Sequence, residues 1–215
     1  MTSFERRRLD MVERQLVARG VRDERVLDAM SRVPRECFVC ANLAGSAYID
    51  APLPIDDGQT ISQPYIVALM IEALALTPDD RVLEVGTGSG YAAAVLGEIA
   101  GSVFTVERHA HLAAQASDCL ARLGYGHVRV RHGDGTRGWP EHAPFDAILV
   151  SAGGPHVPPA LLDQLAIGGR LVIPIDTPPS GQDLRLIRRT GEQEYDGRSL
   201  GPVRFVPLVE RRAPE

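Results

Sequence analysis

The chain has 215 residues, 44% of them hydrophobic and 24% charged, with a net charge of −5; this suits one sizeable globular core, and the acidic balance argues against nucleic acid as a partner. No run approaches ~18 uninterrupted apolar residues, and the N-terminus is charged from Glu5 to Asp10 where an export signal would be apolar. Three cysteines (Cys37, Cys40 and Cys119) do not make a disulfide framework, so the default expectation is a cytoplasmic protein with no membrane attachment.

The first helix is expected over residues 4–19, with Leu9, Val12, Leu16 and Val17 on its inner face and Gly20 ending it. Asp23 is placed to cap a second helix carrying Val26, Leu27 and Met30. Pro34 interrupts, and residues 35–59, with Pro52, Pro54 and Gly58, read as loop or extended chain. Within this stretch Cys37-x-x-Cys40 lacks further ligands for zinc and the context of a redox motif, so it is read as structural and no metal is expected. Pro64 opens a third helix, with Ile66, Val67, Met70, Ile71 and Leu74 at helical spacing.

Strand and helix then alternate. Strands are expected at 81–85, 102–107, 127–132, 145–150 and 169–175, and helices at 90–100, 109–123 and 158–166. Such alternation implies βαβ crossovers and an α/β fold with a doubly wound, mainly parallel sheet. Two further strands, 183–189 and 203–209 around a turn at 191–197, read as an antiparallel edge.

The chemistry is carried by R-V-L-E-V-G-T-G-S-G-Y, from Arg81 to Tyr91. Glycines at alternate positions after a strand let a nucleoside-bearing ligand approach the backbone, and the next helix aims its amides at the strand ends. Glu107 ends the following strand, 21 residues after Gly86, where a carboxylate can accept from both ribose hydroxyls. Gly133-Asp134-Gly135 follows the third strand, where Asp134 is either a receiver for the adenine amine or a plain turn residue. Asp146, at the start of the fourth strand, reads as structural. The dinucleotide fingerprint is G-x-G-x-x-G; here the third glycine comes one residue early. E-V-G-T-G-S-G-Y instead resembles the first motif of class I S-adenosylmethionine-dependent methyltransferases, as does the strand G-G-R-L-V-I-P.

Upstream, V-P-R-E-C-F-V and G-Q-T-I-S-Q-P, followed by T-V-E-R, G-D-G, V-P-P-A-L and F-V-P-L, resemble the protein-L-isoaspartate O-methyltransferase family over roughly residues 10–209. That resemblance implies methyl transfer from S-adenosyl-L-methionine, leaving S-adenosyl-L-homocysteine, to the α-carboxylate of L-isoaspartyl residues in damaged polypeptides. An alternative is esterification of aspartate in a dedicated peptide to form an imide. The resemblance assigns Ile55, Gln59, Thr60, Ile61 and Ser62 to the acceptor, with Ser62 the candidate catalytic residue. It assigns Glu84, Gly86, Thr87, Gly88, Ser89, Gly90, Glu107, Arg108, His109, Gly133, Asp134 and Gly135 to the cofactor.

Ser62 has no base partner nearby in sequence, so it is read as an orienting group; an N-cap for the helix at Pro64 is its other reading. Residues 51–55 and 203–208 are apolar and proline-rich enough to form a dry cover over the reacting groups. Asp56-Asp57 adds negative charge just before the acceptor residues. The expected organisation is one monomeric domain, 1–215: N-terminal helices and acceptor loop to 62, cofactor-binding core over 63–176, and C-terminal strands and tail from 177.

Overall fold

The computed structural model describes residues 2–179 and 181–210; the last five residues of the expected tail lie outside this range. Helix α1, Ser3–Met11, starts from a capping box in which Thr2 and Glu5 satisfy each other's backbone amides. It continues through a π turn, Val12–Leu16, and a 3-10 turn, Val17–Arg19, to a left-handed Gly20. The expected inner face is corrected here. Leu9 and Val17 are 44% and 37% exposed, while Met11 and Leu16 are buried. A π turn closes a larger ring than an α turn and carries Val17, which follows it, off the 3.6-residue period; Leu9 precedes the turn and lies on the solvent side of α1.

Helix α2, Glu24–Arg32, is capped by Asp23, whose Oδ1 accepts from the Arg25 amide at 2.9 Å. The irregular span holds 3-10 turns at Arg35–Phe38 and Ala41–Ser46, then a small hairpin of β1, Leu53–Pro54, and β2, Thr60–Ile61. Helix α3, Pro64–Leu74, has proline in its first turn as expected. There follow β3 (Arg81–Val85), α4 (Tyr91–Ile99), β4 (Ser102–Glu107), α5 (Ala110–Arg122), β5 (Arg129–His132), β6 (Phe145–Val150), α6 (Pro159–Asp163), β7 (Leu165–Asp176), β8 (Gln182–Arg189) and β9 (Tyr195–Val203).

The main sheet has the order β5-β4-β3-β6-β7-β8-β9, parallel from β5 to β7 and antiparallel at its β8–β9 edge. This is the doubly wound, mainly parallel α/β sheet read from the alternation. Its central strands are apolar on both faces, because helices cover both. Val82, Ala147, Leu149 and Val172 join the core beneath α2, α3 and α4, while Leu83, Val85, Ile148 and Val150 pack into the core on the other face. Strand order reverses at β3, which lies between β4 and β6, and this opens a crevice at their carboxyl ends. Asp146 is structural, as read: its Oδ2 accepts from the Arg81 amide at 2.8 Å and ties the starts of β6 and β3 together.

Two boundaries differ from expectation. Helix α6 stops at Asp163, short of 166, because Leu165 already pairs with Phe145 as the start of β7. The last strand is Tyr195–Val203, with its turn at 190–194. Its sequence, Y-D-G-R-S-L-G-P-V, alternates weakly because this edge strand is solvated on most of its length. Residues 204–208, expected as strand, leave the sheet and cross its strand ends. There the Gly153 amide donates to the Val206 carbonyl at 2.8 Å and the Leu208 amide to the Gly153 carbonyl at 2.6 Å.

Candidate active site

The glycine loop lies in the crevice where the strand order reverses. Gly86, Gly88 and Gly90 have φ of 93°, 52° and 89°, a region that side chains with a Cβ enter only under strain. Gly90 sits at the N-cap of α4, so the first turn of that helix opens towards the loop. On the facing side, a Cβ on Gly135 would lie 2.4 Å from Val85 Cγ1, so only glycine lets the chain after β5 pass the end of β3.

Glu107 is buried at the end of β4. Its two oxygens accept from the amides of Gly88, at 2.8 Å, and His109, at 3.0 Å. These bonds aim the carboxylate and leave each oxygen with further acceptor capacity. Behind the loop, Thr87 Oγ1 lies 2.6 Å from Thr105 Oγ1, which donates to Glu84 Oε2 at 2.5 Å. Glu84 is fully buried, and its Oε1 has no partner among the described residues. Burial, with a further contribution from the Glu107 charge, pushes its carboxyl up to about 8.

This first cleft is lined by Glu84 and Gly86–Ser89, by Glu107–His109 and Gly135, and by Gln59–Ser62. Four further positions assigned from the sequence lie just outside it. Gly90 supports the loop against Ala116 and Leu120, and Ile55 reaches Gly88 from above. Gly133 and Asp134 line an adjoining depression with Arg108 and His132. Asp134 Oδ1 accepts from the Thr136 amide at 3.0 Å and its hydroxyl at 2.7 Å, so the turn reading of Asp134 holds whatever else it contacts.

A second cavity of about 410 Å³ opens on the other side of Ser62, between Pro52, Ile66 and the crossing segment Pro202–Val206. Thr60, Ser62, Ser151 and Val206 line both spaces and form their common wall. Ser62 stands where β2 meets α3. The N-cap of α3 is Gln63, and its side chain makes no capping bond. The Ser62 hydroxyl is therefore not consumed by the cap that its position in the sequence allowed. Among the described residues, Arg204 is the one charged residue lining the second cavity.

Sequence reading missed Ser151, Tyr91 and the precise reach of Val206–Val209 along the first cleft. Ser151 directly follows β6, and a position just beyond a parallel strand was signal enough to flag it. Tyr91 was hidden because an aromatic residue in the first turn of a helix reads as core, which it also is.

A cleft with a glycine cradle, a ribose-range carboxylate and a buried acid with a spare oxygen fits a cationic adenosyl ligand. The adjoining cavity, with Arg204 and the neutral hydrogen-bonding groups of Thr60, Ser62, Gln63 and Ser151, fits an anionic acceptor. Comparison with known proteins points the same way. The profile of the family described as Protein-L-isoaspartate(D-aspartate) O-methyltransferase (PCMT) matches residues 6–213. A protein-L-isoaspartate O-methyltransferase of Methylorubrum populi is 62% identical over 202 residues, 94% of each chain. One from Rhodopseudomonas palustris is 60% identical, covering 93% of this chain and 91% of its own. A solved protein-L-isoaspartate O-methyltransferase superposes with a TM-score of 0.84 at 32% identity, over 93% of this chain and 65% of that one. A Plasmodium falciparum chain described as a PCMT in complex with S-adenosyl-L-homocysteine gives 0.82 at 28% identity, over 95% and 99%.

Proposed function

The chain belongs to the protein-L-isoaspartate O-methyltransferase family, and we propose that its two adjoining cavities transfer a methyl group from S-adenosyl-L-methionine to the α-carboxylate of L-isoaspartyl residues in damaged polypeptides. The observation that carries this reading is the wall shared at Ser62: a donor cleft on one side and an acceptor cavity on the other, with the hydroxyl-bearing residues Thr60, Ser62 and Ser151 lining both.

When bound, the cofactor supplies an electrophilic methyl on a sulfonium. Glu107 would hold the ribose hydroxyls, and the Gly86–Gly90 loop would admit the adenosyl backbone. Glu84 would face the positively charged end, whose charge would favour the ionised carboxylate that burial alone disfavours. Nothing in the reaction calls for a strong base, because a carboxylate with a pKa near ~4 is ionised at neutral pH. Ser62 orients that carboxylate by a donated hydrogen bond, and Arg204 attracts it into the cavity. Alignment of acceptor oxygen and methyl carbon is where catalysis is gained, and positioning can supply roughly 7–11 kcal/mol. The apolar cover formed by Pro52, Phe205 and Val206 keeps water off the carboxylate, whose hydration would blunt its attack.

We read residues 1–215 further as one domain working as a monomer on polypeptide substrates in the cytoplasm. The single main sheet supports the one-domain reading; no helix among the described residues is long and apolar enough to cross a membrane. The deciding experiment measures methyl transfer to a matched pair of peptides that differ only in isoaspartyl or aspartyl linkage. The isoaspartyl peptide is expected to be labelled and its partner nearly not; equal labelling would reject the reading.

A further inference from the structure

The segment V-P-R-E-C-F-V carries much of the family likeness, yet none of it lines either cavity. Its Arg35, in the turn Arg35–Phe38, is among the largest fully buried side chains. Nε donates to the Ala47 carbonyl at 2.7 Å, and Nη2 donates to the Ser62 carbonyl at 2.8 Å. The guanidinium carbon lies 4.7 Å from the centroid of the Tyr91 ring, which lines the donor cleft. One side chain therefore holds the residue on the common wall and braces it against the donor side.

The charge of Arg35 is as informative as its hydrogen bonds. An arginine stays protonated in a protein interior. Among the described residues Nη1 has no partner. The charged groups around it do not neutralise it: Asp50 acts on it only at a distance, and its neighbour Glu36 is engaged by Arg8 and by the Tyr48 hydroxyl. A buried cation without a counter-charge is unfavourable, and an anion bound next to Ser62 would relieve part of that cost. The acceptor α-carboxylate is such an anion.

We propose that Arg35 is a positioning residue for the methyl transfer: it fixes the Ser62 backbone against the donor cleft and keeps positive charge behind the cavity that receives the acceptor carboxylate. This rests on the function proposed above. It differs from the bland role of a buried arginine, which is to tie the 35–47 turns together, because that role would leave turnover untouched in any variant that folds and binds cofactor.

The test compares wild type with Arg35→Lys and Arg35→Met, reading kcat and KM on the isoaspartyl peptide, cofactor Kd by calorimetry, and Tm. Lysine keeps the charge but cannot hold both carbonyls in the same geometry. Its kcat is expected to fall about 10- to 100-fold, the scale of a small misplacement at a reacting centre, with KM and cofactor Kd within about threefold. Methionine removes the charge too, so KM for the peptide should also rise by about tenfold. Should the methionine variant fail to fold, the lysine variant decides alone. An Arg35→Lys enzyme with kcat within about twofold of wild type overturns the proposal, as does a kcat that falls only in step with cofactor affinity or folded fraction. A wild type inactive on the peptide overturns the functional reading itself and the role of Arg35 with it, whereas an active wild type beside an unimpaired lysine variant overturns only the latter.

Discussion

At the scale of single residues, the proposed function gives Ser62 and Glu107 different tasks. Ser62 stands between the two cavities with a hydroxyl that no cap consumes. Ser62→Ala should therefore lower kcat on the isoaspartyl peptide by roughly 10²-fold, the scale of lost alignment, while cofactor affinity stays within about threefold. Glu107 anchors the Gly88 and His109 amides and has lone pairs left for a ribose. Its replacement by alanine should act on the donor, raising cofactor Kd by about 30-fold or more, since a hydrogen bond to a charged group contributes roughly 1.5–3 kcal/mol. Steady-state kinetics with calorimetric titration of both variants checks the split. The two assignments fail if the serine variant loses the cofactor or the glutamate variant keeps it unchanged.

At the scale of elements, the site depends on how closely the turn after β5 passes the end of β3. Gly135 has no room for a methyl group, since its Cβ would fall 2.4 Å from Val85 Cγ1. Gly135→Ala should destabilise the protein by about 1–3 kcal/mol through overpacking. Because the clash is with one side chain, the double variant Gly135→Ala with Val85→Ala should lose less than the sum of the two singles. Denaturant unfolding of all four proteins measures this, and strict additivity would place the strain elsewhere. The acceptor hairpin is held in a looser way. Gln115 Nε2 donates to Asp56 Oδ2 at 2.9 Å, and His111 and His109 lie 3.6 and 3.9 Å from Asp56 and Asp57. The two aspartates thus face His109 and the N-terminal half of α5, where His111 and Gln115 lie, and neither lines the second cavity. Such exposed pairs contribute little to stability.

At the scale of the whole molecule, one buried acid ties stability to pH. Burial raises Glu84 to about 8 in the folded chain from its ordinary value of 4.5. Below the lower value both states hold the proton and no penalty arises. Between the two values the folded state keeps a proton that the unfolded state has lost, so stability falls as pH rises, by up to about 1.4 kcal/mol per pH unit. Above about 8 the penalty is complete and the dependence flattens. Glu84→Gln removes the titration. The stability of wild type relative to this variant should decline from pH 5 to pH 8, read from urea midpoints; a constant difference would show that Glu84 titrates normally.

The alternation of strands and helices from β3 to β8, the glycine cradle, the carboxylate at the end of β4 and the family are all legible along the chain. These are local signals: periodicity, backbone permissiveness and spacing along one βαβ unit. Only the tertiary structure decided that Ser62 is shared by two cavities, that 204–208 crosses the strand ends where a seventh strand was expected, and that Arg35 grips Ser62 across 27 residues of chain. Those facts depend on which segments meet after the sheet closes. An edge strand solvated on most of its length, an aromatic residue in a helix start and a buried arginine in a turn carry no local pattern that distinguishes packing from function.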